Sequence, residues 1–332
     1  MRRDAGHITP ARLAGDTREG TMQGAIAGHR YGIGLGLLGL FAWTGASGDT
    51  SLSAGTDARA TPDGQEAMVA LVTGSTGGLG REVARQLAAD GAHVIVHGRN
   101  VERGEALVAE IAAEGRGSAR FIRADLGSFD QVRELARTVL ADYDRLDLLV
   151  NNAGIWLAGE RQESRDGHEL HFQVNYLSGF LLTRMLLPLL RESAPARIIQ
   201  VSSIAQAPID FDDVDLEREY DASRAYAQSK LAQILFTRDL AEELDGTGVL
   251  AVSLHPATLM DTDMVLERDI RPRATVEEGL EAVMRLVHAP DVEAGGYYRG
   301  LELDEPQAQA MDREARDRLR RLSYALTGAP GG

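Results

Sequence analysis

From Ala67 onward, short runs of apolar and β-branched residues alternate with longer stretches whose apolar positions return every three or four residues. The short runs predict strands at Met68–Val72, His93–His97, Ala119–Arg123, Leu146–Val150, Arg197–Val201 and Val249–Leu254, with a last one near Tyr297–Arg299. The longer stretches predict helices over Gly80–Ala89, Val101–Glu114, Phe129–Tyr143, Gly167–Arg191, Ser223–Leu244 and Val276–His288; Val132, Leu135, Val139 and Leu140 are one such apolar stripe. Strand and helix in strict alternation predict βαβ units. The fold class is therefore α/β, a Rossmann-type doubly wound parallel sheet, in a single domain over residues 66–332. No internal repeat interrupts it.

Residues 1–65 follow neither period. Gly, Ala, Thr, Asp and Arg dominate there, and one uncharged apolar run, from Tyr31 to Ser47, stands among them. Its length is short for a membrane span and nearer to a secretory apolar region, while the acidic Asp4, Asp16 and Glu19 upstream fit a signal poorly. This segment reads as a disordered leader, a signal or anchor, or a mis-called start, with Met22 and Met68 as later starts. The domain is expected to be cytoplasmic if the run is unused, and membrane-anchored or exported if it is used.

The 332-residue chain is 44% hydrophobic and 26% charged, an ordinary globular balance that predicts a packed core. Its net charge of −15 repels polyphosphate backbones, and no basic stripe offsets that, so nucleic acid is excluded as a partner. The absence of cysteine removes disulfides, thiolate metal sites and a cysteine nucleophile.

Two local patterns carry chemistry. Directly after the first strand comes Thr73-Gly74-Ser75-Thr76-Gly77-Gly78-Leu79-Gly80, and then a helix. Glycines permit a tight turn and close backbone approach, while a helix N-terminus presents free N–H groups and positive dipole to a pyrophosphate. A glycine cluster alone reads as a tight turn; its place between strand and helix makes it a nucleotide loop. The second pattern is Tyr226 and Lys230, four apart and so on one helical face. Bringing a phenol from its reference pKa near 10 towards 7 takes about 4 kcal/mol of phenolate stabilisation, which neighbouring positive charge supplies.

These motifs resemble the short-chain dehydrogenase/reductase family, whose glycine loop has the spacing Thr-Gly-x-x-x-Gly-x-Gly. Asp125 after the third strand, Asn151-Asn152-Ala153-Gly154 after the fourth, Asn175 in the next helix, Ser203 after the fifth strand and Tyr226-Ala227-Gln228-Ser229-Lys230 continue the resemblance in order. It covers roughly residues 67–262, and the tail resembles the retinol dehydrogenase-like branch more loosely. The resemblance implies a carbonyl–alcohol oxidoreductase. Tyr226 would exchange the proton, and Lys230 would lower its pKa and hold the nicotinamide ribose. Ser203 (or Ser202) would bind the substrate oxygen, and Asn175 a water on the proton path. It further implies cofactor contacts from Gly74, Ser75, Gly78, Leu79, Gly80, Arg99, Asn100, Asp125, Leu126, Asn152, Ala153, Gly154, Tyr226, Lys230 and Pro256. No metal is needed, and a homo-oligomer is one expected state.

The second strand ends His97-Gly98-Arg99-Asn100, with no carboxylate to hold a ribose 2′-hydroxyl. Arg99, with Arg81 as a second cation, instead suits a 2′-phosphate, so NADP(H) is the expected cofactor. Two departures from the family remain. His255-Pro256-Ala257-Thr258-Leu259-Met260-Asp261-Thr262 lacks the commoner Pro-Gly, and Ile209–Arg224 is long and acidic, read as a solvated loop beside the site. His255 reads as a strand-end histidine and not as a base. Ile155, Trp156, Leu157, Ala205 and Leu259–Val265 are expected to line a pocket for a small, fairly apolar carbonyl or alcohol. Two other readings stay open: a non-catalytic NADP(H)-binding sensor or scaffold, and epimerase or dehydratase chemistry on nucleotide sugars.

Overall fold

The structure, a computed structural model, describes residues 67–331; the expected leader 1–65 and its apolar run lie outside the described residues. The strands are β1 (Val69–Val72), β2 (His93–Gly98), β3 (Ser118–Arg123), β4 (Leu148–Asn151), β5 (Ala196–Val201), β6 (Val249–His255), β7 (Tyr297–Arg299) and β8 (Glu302–Asp304). They form one sheet in the order β3-β2-β1-β4-β5-β6-β7-β8, parallel throughout except for the antiparallel β7–β8 pair. β1 and β4 are neighbours in space but not in sequence. Strand order reverses there, and the crevice at the carboxyl ends of β1 and β4 is where doubly wound sheets bind ligands.

The central strands are buried on both faces, which is why β1 and β4 read as unbroken apolar runs and not as alternations. One face is covered by α1 (Gly78–Ala89), α2 (Val101–Glu114) and α7 (Val276–His288), whose Val83, Leu107 and Val283 pack on Val72, Val96 and Val150. The other is covered by α3 (Phe129–Asp142), α4 (Ser178–Glu192), α5 (Ala222–Glu243) and α8 (Arg313–Thr327), with Leu135, Leu186, Leu231 and Leu319 in that core. A short α6 (Asp263–Leu266) lies in the segment after β6. Among the described residues, no helix is long and apolar enough to cross a membrane.

Four differences from the sequence expectations have identifiable causes. The fourth strand begins at Leu148, because the Asp147 side chain accepts the Val69 N–H at 2.7 Å and is tied to Arg145. Gly167 is a turn residue (φ +85°), not a helix start. The helix after it is not continuous α: Phe172–Leu177 is a widened π turn, and Asn175 sits inside it. β8 and α8 have no counterpart among the expected elements. The stripe on α8 is sparse amid Arg and Glu, and the helix is held by contacts remote in sequence: Tyr176 Oη to Ser323 Oγ at 2.6 Å and Arg316 to Glu242 at 2.6 Å.

Candidate active site

A cleft of about 490 Å³ opens at the carboxyl ends of the strands, across the β1–β4 switch point. One half is the glycine turn. Gly74 (φ +66°) and Gly78 (φ +53°) adopt left-handed backbone that other residues resist, and a Cβ on Gly74 would stand 2.8 Å from Ala153 Cα. α1 begins at Gly78 after the N-cap Gly77, and no side chain caps it, nor does its first turn carry an acid. Its first N–H groups therefore face the cleft without an internal partner, an arrangement that suits a pyrophosphate. Gly80 allows the helix to approach: a Cβ there would collide with Asn152 Nδ2 and lie 2.6 Å from the Gly74 carbonyl.

Side chains from neighbouring strands hold this turn in shape. Thr73 Oγ1 accepts the N–H groups of Asn152 and Ala153, each at 3.0 Å, and Asn152 Nδ2 donates to Thr73 O at 2.9 Å. Gly74 N donates to His97 Nδ1 at 3.1 Å. Burial lowers the His97 pKa to about 4, so the ring remains a neutral acceptor through the neutral range. The sequence reading missed His97 in this role. Its only signal was a polar residue at the buried carboxyl end of a strand.

The expected cofactor residues fall into two groups. Gly74, Gly78, Leu79, Gly80, Arg99, Asp125, Leu126, Asn152, Ala153, Gly154 and Pro256 line the cleft, together with the unexpected Thr76, Gly77 and Thr258. Ser75 does not line it. Ser75 is fully buried, its hydroxyl donating to Val72 O at 2.7 Å and accepting from His97 N at 3.0 Å, so it ties β1 to β2 and its neighbours face the cleft. Asn100 does not line it either; it is the N-cap of α2, accepting from Arg103 N at 2.9 Å. Arg81 turns away from the cleft into ion pairs with Glu82 and Glu110, which leaves Arg99 without the second cation assigned to it.

The other half of the cleft holds Ser203, Tyr226 and Lys230. Ser202 also reaches the lining, but its hydroxyl is committed to Lys230 O at 2.7 Å; the Ser203 hydroxyl bonds the Tyr226 side chain and accepts from Ala205 N. Of the two hydroxyls, it is the Ser203 one that bonds Tyr226. Tyr226 and Lys230 share a face of α5, with Lys230 Nζ 5.8 Å from the phenol ring centroid. Nζ donates to Val201 O at 2.9 Å, and burial brings the ammonium pKa down to about 7. Burial also raises the Tyr226 pKa above its usual value, with the Ser203 hydrogen bond and the Arg268 charge opposing. These groups together keep the phenol protonated, a state suited to donating a proton.

Asn175 lies one layer behind the lining. Its Oδ1 accepts Ile155 N at 2.7 Å, and its Nδ2 donates to Ile155 O at 3.1 Å and to Ser229 Oγ at 2.9 Å. The π turn brings that amide to the strand loop. A Cβ on Gly154 would lie 3.3 Å from Lys230 Nζ and 3.4 Å from Asn175 Oδ1, so the two atoms border one small space that only glycine leaves open.

After β6 the backbone takes the strained left-handed form at Leu259 (φ +53°), and Thr262 comes against Gly78. His255 bonds Thr258 Oγ1 at 2.9 Å, and burial lowers its pKa to about 4, in keeping with a strand-end histidine. Ile155, Trp156, Ala205 and Leu259–Val265, apart from Asp261, line the cleft; Leu157 does not. The acidic loop is less solvated than its composition implies. Asp215 Oδ1 accepts Glu169 N at 2.9 Å, and Oδ2 meets His168 Nδ1 at 3.2 Å.

Known proteins resemble this chain in sequence and in fold. A short chain dehydrogenase family profile matches residues 68–272. Mouse retinol dehydrogenase 12 is 36% identical over 273 residues, covering 78% of this chain and 86% of the relative, and mouse retinol dehydrogenase 11 is 43% identical over 194 residues, covering 58% and 61%. Among solved structures, the Pseudomonas aeruginosa RhlG/NADP active-site complex is 29% identical with a TM-score of 0.58, covering 70% of this chain and 94% of that one. A Burkholderia cenocepacia short chain dehydrogenase in complex with NADP is also 29% identical with a TM-score of 0.58, covering 70% and 95%. The chain belongs to the short-chain dehydrogenase/reductase family of oxidoreductases, in its retinol dehydrogenase-like branch.

Proposed function

We propose that this protein interconverts a carbonyl and an alcohol on a small, fairly apolar substrate, using NADP(H) and a Ser203-Tyr226-Lys230 group with Asn175 behind it. The observation that carries the reading is the placing of Ser203, Tyr226 and Lys230 in the same cleft as an uncapped, glycine-built helix N-terminus. When bound, the cofactor supplies or removes the hydride. The uncapped start of α1 would hold its pyrophosphate, and Arg99 a 2′-phosphate. NADP in the two bacterial neighbours, and retinol in the names of the mammalian relatives, support a phosphorylated cofactor and an apolar substrate.

The chain's own part is proton handling. Ser203 Oγ and Tyr226 Oη, hydrogen-bonded to each other, would both bond the substrate oxygen, where negative charge develops during reduction. Tyr226, held protonated by burial, gives its proton to that oxygen. The resulting phenolate is stabilised by Lys230, whose pKa near 7 lets it pass a proton on through the small space beside Gly154 and Asn175 Oδ1. Oxidation of an alcohol runs the same path in reverse. Ile155, Trp156, Ala205, Met264 and Val265 give the substrate end an apolar lining.

The test follows NADPH and NADH absorbance with a panel of aldehydes and ketones. Tyr226→Phe is expected to lower turnover by about 10²–10⁴-fold, the usual contribution of a positioned proton donor, with NADPH binding retained. Binding of NADPH without turnover by the unaltered protein on any substrate would favour a sensor.

A further inference from the structure

The loop leaving β4 is pinned by a group with no part in the proton path. His171 Nε2 accepts the N–H of Leu157 at 2.8 Å, so that nitrogen must be bare and the ring proton must sit on Nδ1. Nδ1 donates to Glu169 Oε1 at 2.7 Å. Glu169 Oε2 accepts Phe172 N at 2.8 Å, and the Tyr220 hydroxyl bonds the same carboxylate. Glu169 and His171 are both 0% exposed. Ionisable groups are costly at such a depth unless their polar atoms are matched, and here they are.

What the dyad fixes lies on the other side of the loop. Leu157 follows Trp156, whose ring centroid is 5.7 Å from that of Tyr226 at a tilt of 36°. The His171 ring meets Tyr226 edge-on at 6.3 Å. On the outside, the Arg268 guanidinium lies 4.5 Å from the centre of the Trp156 ring. Trp156 and Tyr226 both line the cleft, so the indole forms part of the wall beside the phenol.

We propose that Glu169 and His171 are positioning residues: through the Leu157 backbone they hold Trp156 against Tyr226 as the wall that selects apolar substrates. The carboxylate fixes the imidazole tautomer, the imidazole fixes the loop, and the loop fixes the indole. This rests on the oxidoreductase reading, in which Tyr226 meets the substrate oxygen.

The test uses the full chain with Trp43→Phe, which leaves Trp156 as its one tryptophan. His171→Phe keeps a ring but removes the acceptor, and His171→Gln returns an acceptor near the place of Nε2. Glu169→Gln keeps the shape, yet whichever way its amide turns, the NH2 meets a donor, either His171 Nδ1–H or Phe172 N–H. His171→Phe and Glu169→Gln are expected to raise KM for an apolar ketone about tenfold, the worth of one hydrogen bond, and to change kcat less. NADPH affinity is expected to stay within about twofold, well under the worth of one hydrogen bond, and Trp156 emission to move to longer wavelength. His171→Gln should restore both KM and emission. Unchanged KM and emission in His171→Phe would overturn the proposal. So would a loss spread equally over KM, NADPH affinity and melting temperature that His171→Gln does not rescue. If the unaltered protein turned over no carbonyl, the oxidoreductase reading would fail, and emission alone would still decide whether the dyad places Trp156.

Discussion

Lys230 is held at a cost in stability that is measurable. Its ammonium pKa falls from 10.5 to about 7 on folding because α5 and β5 bury it, with Val201 O as its hydrogen-bond acceptor. A drop of that size corresponds to about 5 kcal/mol against the charged form at 1.36 kcal/mol per pH unit. Between pH 7 and 10.5 the unfolded chain binds more protons at this site than the folded one, so the native protein gains stability as pH rises through that window. Below pH 7 both states carry the proton and the full penalty applies. Lys230→Met keeps the length of the side chain and removes the penalty, but it leaves the buried Val201 carbonyl without this donor, at a cost of about 1–3 kcal/mol. The variant is therefore expected to be inactive yet more stable than the parent, by about 2–4 kcal/mol at pH 6, with the gap closing towards pH 10. Urea unfolding of the cofactor-free proteins at pH 6, 7, 8, 9 and 10 reads this directly. A difference between the two that stays constant with pH, or a Met variant less stable at pH 6, would refute the account of a desolvated lysine.

Gly80→Ala places a methyl against Asn152 and 2.6 Å from the Gly74 carbonyl, and backbone cannot yield cheaply there. It is expected to destabilise by about 1–3 kcal/mol and to weaken NADPH binding, as calorimetry and fluorescence titration would show. Gly77→Ala, whose nearest obstacle is Arg103 Nη1 at 3.6 Å, should be milder in both. Arg99→Gln should weaken NADPH about tenfold or more and leave NADH nearly unchanged; equal effects on both would remove Arg99 from the 2′-phosphate site.

The alternation of strands and helices was legible because the two periods are local properties of the chain. So was the order of chemical groups, since glycine loop, Asn151-Asn152-Ala153-Gly154, Ser203 and Tyr226-x-x-x-Lys230 each sit at an end or on a face that periodicity places. Resemblance to a known family extended this to roles. Local pattern could not say which way a side chain turns when two partners compete for it. Ser75 goes to the β1–β2 seam, Asn100 to the cap of α2 and Arg81 to Glu110, because each finds a partner nearer than the cleft.

What the sequence determined by itself was the class of fold, the strand-loop-helix seat for a dinucleotide and the shared helical face of Tyr226 and Lys230. Only the tertiary structure decided the electrostatics and the second layer. The pKa of Lys230 depends on how much of the chain closes over it, and the Asn175 contacts with Ile155 and Ser229 need a π turn that sets the amide between the loop after β4 and α5. Asn175 with Ser229 and Lys230 with Val201 join segments 54 and 29 residues apart, which local periodicity does not relate.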